Sequence, residues 1–491
     1  MKVSDHGSKG TDWPSIYVAT GLTFITAVQF SIFVASLWPF LQIVDATATE
    51  TFFGVIISIY SLGQILASPL VGYWSNKVRS SVGPLYMGLV LMLVGNLVYL
   101  FIPIIPIPGK KYIFLVSRVI TGVGSANSSL LKAYAATAST GRDRSKAISY
   151  VTGGLALGST VGYGTQLLFT PLGATGLKIS SNFGINIYTA PALYAALLNV
   201  LGIFLVKKYF IENDVGIVKK ADREKHGDLP PFDKLALLVC YMIRFMQKFV
   251  SANIESLGTP LAMTMFAWNR ETVIRNLGIV QTVQATVHLI VYLGYIKFNL
   301  GRKFNSRQVL YASISGLLLF HLVTYSWPFL PGTMVTYNNE DVKLANGTEL
   351  VGCNTDNFDW CLDISPINAI VFYTACVVFI GMCTPNINIT LNTLFSKIIG
   401  PRPQAAQQGW LQVSAGAGRF VGPVIVSYLY TQFGPRWVWN AVLLIVAATL
   451  ALCVVFRRRM VPLTVPDVFA EFQDQDDPDL KRRNKAKLNK C

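Results

Sequence analysis

Apolar runs of about twenty residues recur along this chain, separated by short polar and charged stretches; 85–107, 188–206, 364–383 and 437–456 are the plainest. At 1.5 Å of rise per residue, a helix of ~20 residues crosses ~30 Å of hydrocarbon. The pattern predicts helices near 15–40, 52–75, 84–104, 112–133, 145–168, 187–207, 234–261, 272–297, 308–329, 364–388, 407–430 and 437–456. Within lipid every backbone N–H and C=O must be paired inside the protein, so these runs imply an all-α membrane bundle of twelve spans. Composition agrees: 52% of the 491 residues are hydrophobic and 13% charged, against the ~25% charge usual in soluble domains.

Charge orients the bundle. Lys and Arg crowd alternate loops, with Lys77 and Arg79, then Lys132, Arg142, Arg144 and Lys146, then the stretch 207–225, then Lys297, Arg302, Lys303 and Arg307, then Lys397 and Arg402. The intervening loops hold only Lys110, Lys111, Lys178, Arg270, Lys343 and Arg436. The positive-inside bias places the first set and both termini in the cytosol. The expected organisation is a cytosolic tail 1–14, a six-helix bundle 15–208, a cytosolic linker 209–233, a second bundle 234–456 containing an outer loop 330–363, and a cytosolic tail 457–491. Residues 1–14 lack the apolar core of a cleavable signal, so the first span has to direct insertion itself.

The net charge of +16 raises nucleic acid as a partner. The basic residues sit in loops and in a solvated tail that suits anionic headgroups, so no nucleic-acid partner is expected. No phosphate loop, nucleophile elbow or metal-spaced His/Cys cluster occurs. Catalytic residues, metal ligands and cofactors are therefore not expected.

Two patterns recur at matching places in the halves. Gly72-Tyr-Trp-Ser-Asn76-Lys77-Val-Arg79 follows the second span, and Gly294-Tyr-Ile-Lys-Phe-Asn-Leu-Gly301-Arg302-Lys303 follows the eighth. Gly158-x-x-x-Gly162 in the fifth span is echoed by Gly418-x-x-x-Gly422-Pro423 in the eleventh. Two parallel six-helix repeats imply pseudo-symmetric bundles with a solute site between them near the midplane. Glycines four apart let helices approach closely, either as plain packing or as the interface on which the halves rock.

The stretch from Gly294 to Lys303 resembles the loop signature G-x-x-x-D-x-x-G-R-K of the major facilitator superfamily, with Phe298 where the acid is usual. In the first half Asn76 replaces that acid, and Ser80 and Ser81 replace the Arg-Lys pair. Arg118-x-x-x-Gly122-x-Gly124 resembles the superfamily's fourth-span motif. Longer blocks, Ser36-Leu-Trp-Pro-Phe-Leu-Gln42, Tyr60-Ser-Leu-Gly-Gln64, Thr259 to Trp268, Gly409 to Arg419 and Gly434-Pro-Arg-Trp437, resemble the ceroid lipofuscinosis neuronal protein 7 family, also called major facilitator superfamily domain-containing protein 8. The resemblance implies a lysosomal or late-endosomal membrane protein with anion (chloride) permeation. Residues 1–14 hold no acidic dileucine signal, and the matching Asp233-x-x-x-Leu237-Leu238 opens the seventh span.

Intramembrane charges cost at least ~2.5–3.5 kcal/mol each, so each needs a reason. Arg244, Lys248 and Glu255 share one stripe of the seventh span by their spacing, and Arg118 lies about 9 Å inside the fourth. These four are the candidate substrate or ion path; the alternative is a structural network fixing helix register. Gly158, Gly162, Gly294, Gly301, Arg302, Lys303, Gly418, Arg419 and Gly422 are the candidate gating and interface residues. Lys132 reads as a snorkelling cation, His288 and His321 as core hydrogen-bonding groups, and Gln29, Asn127, Gln281 and Gln284 as polar glue or ligands. The outer loop holds Cys353 and Cys361, suited to a disulfide in an oxidising lumen, and a glycosylation sequon at Asn346. The function expected is an endolysosomal transporter or transporter-derived anion channel. Its partners are a small anion or small organic solute and the lipid bilayer, and a monomer is expected. The competing class is a degenerate facilitator serving as receptor or scaffold.

Overall fold

The computed structural model describes residues 10–33, 36–45, 50–105, 109–173, 176–180, 183–213, 215, 229–268, 270–329, 331–338 and 350–464. Over these residues twelve helical spans follow in order. The first half contains Trp13–Ser31 continued by Leu37–Val44, Glu50–Val78, Val82–Phe101, Lys110–Gly124 continued by Asn127–Thr137, Arg144–Leu168 and Ala190–Tyr209. The second contains Lys234–Met265, Arg270–Phe298, Ser306–Val323, Ala369–Ile399, Ala405–Phe433 and Pro435–Val455. The Leu463 N–H donates to the Lys397 carbonyl and the Asp12 N–H to that of Ala138, so both ends of the described chain lie on one face. That face is called the terminal end below, and the opposite face the loop end.

Six of the helices are apolar enough to cross a membrane on length and composition alone. Others, the first, second and fifth among them, carry Ser and Thr whose polarity is hidden locally. The Thr20, Thr26, Ser68 and Thr152 hydroxyls each donate to the carbonyl one turn back, which removes an orphan donor from lipid.

The halves repeat the same local devices. Asp12 caps the first span by accepting from Ser15 N–H, and Asp233 caps the seventh by accepting from Leu235 and Ala236 N–H at 2.9 and 3.2 Å, as short carboxylates do at helix starts. Asp233 is thus a cap, with Leu237 buried behind it. Arg79 and Asn299, with φ of 53° and 49°, stop the second and eighth spans in the left-handed region. The fourth span breaks at Ser125–Ala126, and the tenth passes through a π-helical turn, Cys376–Ile380. Each bundle has its own core, around Leu85, Met92, Leu130 and Tyr134 in the first and Ile243, Phe249, Leu317 and Phe395 in the second.

The glycine pairs correct one expectation. A Cβ at Gly158 would meet Ala27 Cβ at 2.9 Å, and one at Gly162 the Val28 carbonyl at 2.8 Å, both on the first span. A Cβ at Gly418 would meet the Phe245 carbonyl at 2.5 Å, and one at Gly422 Asn253 Oδ1 at 3.0 Å, both on the seventh. Gly158, Gly162, Gly418 and Gly422 therefore pack helices inside each bundle, not between the bundles.

The loop end adds two small strand pairs to the helical frame. Leu177–Ser180 pairs antiparallel with Phe183–Ile185, and Thr336–Tyr337 pairs parallel with Cys353–Asn354. Cys353 and Cys361 are disulfide-bonded. Trp360 packs on Tyr430 with ring centroids 5.3 Å apart, so this loop rides on the second bundle. Asn346, most of the linker 209–233 and the tail beyond 464 lie outside the described residues.

Candidate functional site

The halves meet along two seams, the second span against the eleventh and the fifth against the eighth. On the terminal half of the first seam the backbones all but touch. A Cβ on Gly72 would meet Ala406 Cα at 2.9 Å, and one on Gly409 the Ser68 carbonyl at 2.6 Å. In the second seam Gly153 faces Tyr292 and Gly301 faces Ser145, while Arg302 Nε donates to the Arg142 carbonyl at 3.2 Å. Lys303 is exposed, and Gly294 meets only the Leu300 side chain of its own bundle. Leu157, Val161 and Gly164 share the Gly153 face by spacing, yet they are exposed, and both Gly164 and Gly278 of the eighth span face open space. The cavity between the bundles is closed at the terminal end and open at the loop end.

Gln64 and Arg419 stand at the midpoints of their helices, Glu50–Val78 and Ala405–Phe433. Gln64 Oε1 accepts from Arg419 Nη2 at 2.9 Å and from Gln412 Nε2 at 3.0 Å. Its own Nε2 donates to the Ser125 carbonyl at 3.2 Å, where the fourth span breaks. One buried amide thereby ties three helices from two bundles, and it forms the floor of the open cavity.

Charged groups surround this floor. Arg118 is 6% exposed; its guanidinium lies 4.9 Å from the Tyr60 ring centroid and 5.5 Å from that of Phe33, within cation–π range. Its Nε has no hydrogen-bond partner. Tyr60 also faces Arg419, which feels the Glu255 charge as well. The seventh-span stripe divides. Arg244 is buried and bonded through Nη1 to Gln247 Oε1 and Asn388 Oδ1 at 2.8 and 2.6 Å, and through Nη2 to Asn392 Oδ1 at 3.0 Å. Lys248 is half-buried and Glu255 exposed, and among the described residues neither makes a hydrogen bond or ion pair. The charges of Arg419, Arg244 and Glu255 all act on Lys248. Lys248, Glu255 and Arg419 thus share one electrostatic neighbourhood and Arg118 stacks on Tyr60, while Arg244, whose charge also acts on Lys248, is tied by hydrogen bonds inside the second bundle.

Most of the remaining polar candidates bond within a bundle. Gln29 bonds Asn96 and Asn199, tying the first, third and sixth spans at 2.8–3.0 Å. Asn127 Nδ2 donates to the Leu85 carbonyl. His321 Nδ1 lies 2.8 Å from the Leu317 carbonyl, and His288 Nε2 lies 3.4 Å from that of Ile380. Gln284 accepts from Cys376 Sγ at 3.7 Å, and Gln281 is exposed. Sequence reasoning passed over Gln64, Gln412, Asn388 and Asn392. The first two lie within the blocks Tyr60 to Gln64 and Gly409 to Arg419; a buried amide is costly only when unpaired, and the partners that satisfy these are too far away in sequence for any local pattern to show them.

Residues 19–343 and 360–485 match the family model of the Major Facilitator Superfamily. This chain belongs to the Major Facilitator Superfamily. It is 31% identical over 478 residues to major facilitator superfamily domain-containing protein 8 of Xenopus laevis, covering 92% of each chain. Its fold is similar to that of the proton:xylose symporter XylE (TM-score 0.67, 12% identity, 96% of this chain and 98% of that one). The human organic anion transporter MFSD10 is similar too (TM-score 0.63, 13% identity, 90% and 99%). As a member of the superfamily the chain is a multi-pass membrane transporter of small solutes.

Proposed function

We propose that this transporter moves small anions, chloride among them, across an endolysosomal membrane, with its terminal end in the cytosol and its loop end in the lumen. Lys248 carries the reading. It is a half-buried ammonium with no hydrogen bond or ion pair among the described residues, where the charges of Lys248 and Arg419 act on the carboxylate of Glu255 and Arg118 stacks on Tyr60 nearby. A net positive lining with low-dielectric walls focuses field toward anions, and a solute anion is the partner such a lysine lacks. The organelle is what the family resemblance implies, and the identity of 31% to major facilitator superfamily domain-containing protein 8 is in keeping with that resemblance. Arg244, bonded on three sides, serves to position the seventh and tenth spans beside the path.

Patch-clamp of endolysosomes carrying a tagged copy tests this, with chloride exchanged for a large anion. The exchange should abolish the current or flux. Lys248→Gln should lower anion selectivity by about tenfold or more, since a charge about 6 Å away at an effective dielectric of ~20 contributes ~3 kcal/mol. Glu255→Gln should change rate or pH dependence at equal protein level. Unaltered selectivity in the Arg118, Lys248 and Glu255 neutralised variants would sink the path, and a tagged copy confined to the plasma membrane would sink the location.

A further inference from the structure

At the terminal end of the second seam the bundles meet through a cluster of cations. Arg302 Nε donates to the Arg142 carbonyl at 3.2 Å, and a Cβ on Gly301 would run into the Ser145 side chain. These contacts bring Arg142 and Lys146 of the first bundle beside Arg302 and Lys303 of the second. All four are exposed or half-buried, and among the described residues none of them forms an ion pair. Asp143, the one carboxylate in this stretch, is engaged elsewhere: its Oδ2 accepts from Thr11 Oγ1 at 2.9 Å and from Thr140 Oγ1 at 3.5 Å. Aromatic rings mark the depth of the cluster. Trp13, Tyr17 and Tyr150 pack together with centroids 5.2–6.2 Å apart, and Lys146 Nζ lies 5.1 Å from the Trp13 ring centroid. Such amphipathic rings collect at the level of lipid headgroups, and Lys146 is one turn, about 6 Å, nearer the terminal end than Tyr150. Phe298 and Phe304, 57% and 56% exposed, bracket Gly301–Lys303.

We propose that this seam binds the headgroup of an anionic phospholipid of the phosphoinositide class, its phosphates shared between Arg142 and Lys146 on one bundle and Arg302 and Lys303 on the other, and that the bound lipid favours the closed terminal end. Guanidinium and ammonium groups make short charge-assisted bonds to phosphate oxygens, the guanidinium bidentately. Four cations without an ion-paired carboxylate match a headgroup that carries several phosphates, and basic pockets between membrane helices at their cytosolic ends hold such headgroups. The ring belt at headgroup depth and the exposed Phe298 and Phe304 beside the cations suit a ligand with acyl chains, which selects a lipid over free phosphate. Closure makes the site. When the bundles part, Arg302 leaves the Arg142 carbonyl and each bundle keeps only two of the four cations. A ligand held more tightly by the closed form shifts the balance toward it. The inference rests on the orientation proposed above, with the terminal end in the cytosol, where the leaflet carries anionic lipid.

Native mass spectrometry of the full chain, titrated with dioctanoyl phosphatidylinositol bisphosphate, counts the tightly held lipids and gives their affinity. A cation beside an anionic headgroup contributes about fivefold, so Arg142→Gln with Lys146→Gln should weaken a tightly held lipid about twenty-five-fold, and Arg302→Gln with Lys303→Gln should do the same. Lys207→Gln with Lys208→Gln, which removes two exposed terminal-end cations of the sixth span, should leave it in place. Dioctanoyl phosphatidylserine and free inositol trisphosphate should each bind about tenfold more weakly or worse. Spin labels at Lys77→Cys and Lys297→Cys, exposed terminal-end positions on opposite bundles, report the closure by electron–electron distance in nanodiscs. The background carries Cys491→Ser, and the free cysteines Cys240, Cys376, Cys383 and Cys453 are buried. Adding the lipid to a phosphatidylcholine nanodisc should raise the ratio of closed to open molecules about tenfold, and neither seam pair of Gln variants should respond. Equal losses from the sixth-span pair and the seam pairs would overturn the site, and equal affinity for inositol trisphosphate would overturn the lipid. An unchanged distance distribution with lipid bound would overturn the bridge between bundles. Should a Gln pair fail to fold, the comparison of ligands and of closure on the unmutated seam decides. Both faces of a nanodisc are accessible, so tight seam binding by a chain whose orientation proves reversed removes the orientation alone, whereas absent binding by a chain oriented as proposed removes this inference alone.

Discussion

At the residue scale, Gln64 accepts from Arg419 and Gln412 and donates to the Ser125 carbonyl, so it partners a half-buried guanidinium at the middle of the eleventh span. Gln64→Leu keeps the volume but leaves Arg419 Nη2 and Gln412 Nε2 without their acceptor. A lost hydrogen bond to a charged donor costs ~1.5–3 kcal/mol. The substitution should lower the Tm of the purified protein and raise the open fraction seen by the spin-label pair at Lys77→Cys and Lys297→Cys, while Gln64→Glu, which keeps the acceptor for Arg419 and Gln412 but gives up the donor to the Ser125 carbonyl, should recover closure in part. A Leu variant that melts and closes like the parent would show that the bridge contributes nothing. Arg244 illustrates the opposite case. The sequence marks it as a costly intramembrane cation beside Lys248, yet Gln247, Asn388 and Asn392 surround it, and no spacing rule foretells which charge meets amides and which meets a cavity.

At the scale of elements, the glycines fall into two groups that a four-residue spacing cannot tell apart. Gly158 packs on the first span and Gly418 on the seventh, contacts internal to a rigid bundle. Gly72 and Gly409 meet the opposite bundle at the closed terminal end, contacts that a separation of the bundles there would break. Gly158→Ala should therefore destabilise the fold by about 1–3 kcal/mol, the usual range for overpacking, with lower Tm and yield in every state. Gly409→Ala, whose methyl would meet the Ser68 carbonyl and Pro69 Cα at 2.6 and 2.8 Å, should leave the Tm nearly unchanged and shift the spin-label distance toward the open form. Equal thermal losses from both substitutions would show that the seam is as permanent as the bundle interior. The pattern of glycines was legible from the sequence; the face each one presents was not, because it depends on how the helices rotate when they dock.

For the whole molecule, the orientation rests on the Lys and Arg bias of the loops, and it makes a simple chemical prediction. The disulfide-closed loop with Cys353 and Cys361 lies at the loop end and packs on Tyr430 through Trp360, and the sequon at Asn346 belongs to the same outer loop, 330–363. Glycosidase should increase gel mobility of the parent chain and leave Asn346→Gln unshifted. A glycan on a sequon introduced into 207–233 instead would reverse the orientation. Span number, the two-half repeat and the membrane class were all readable by eye, because hydrocarbon thickness imposes a length on each helix and demands nothing of its neighbours. The caps at Asp12 and Asp233 are local in the same sense. The site was decided only by tertiary structure. Gln64 and Gln412 are 348 positions apart and Gln64 and Arg419 355, so their meeting depends on two independently packed bundles closing on each other through glycine contacts and one shared amide that no single stretch of chain contains.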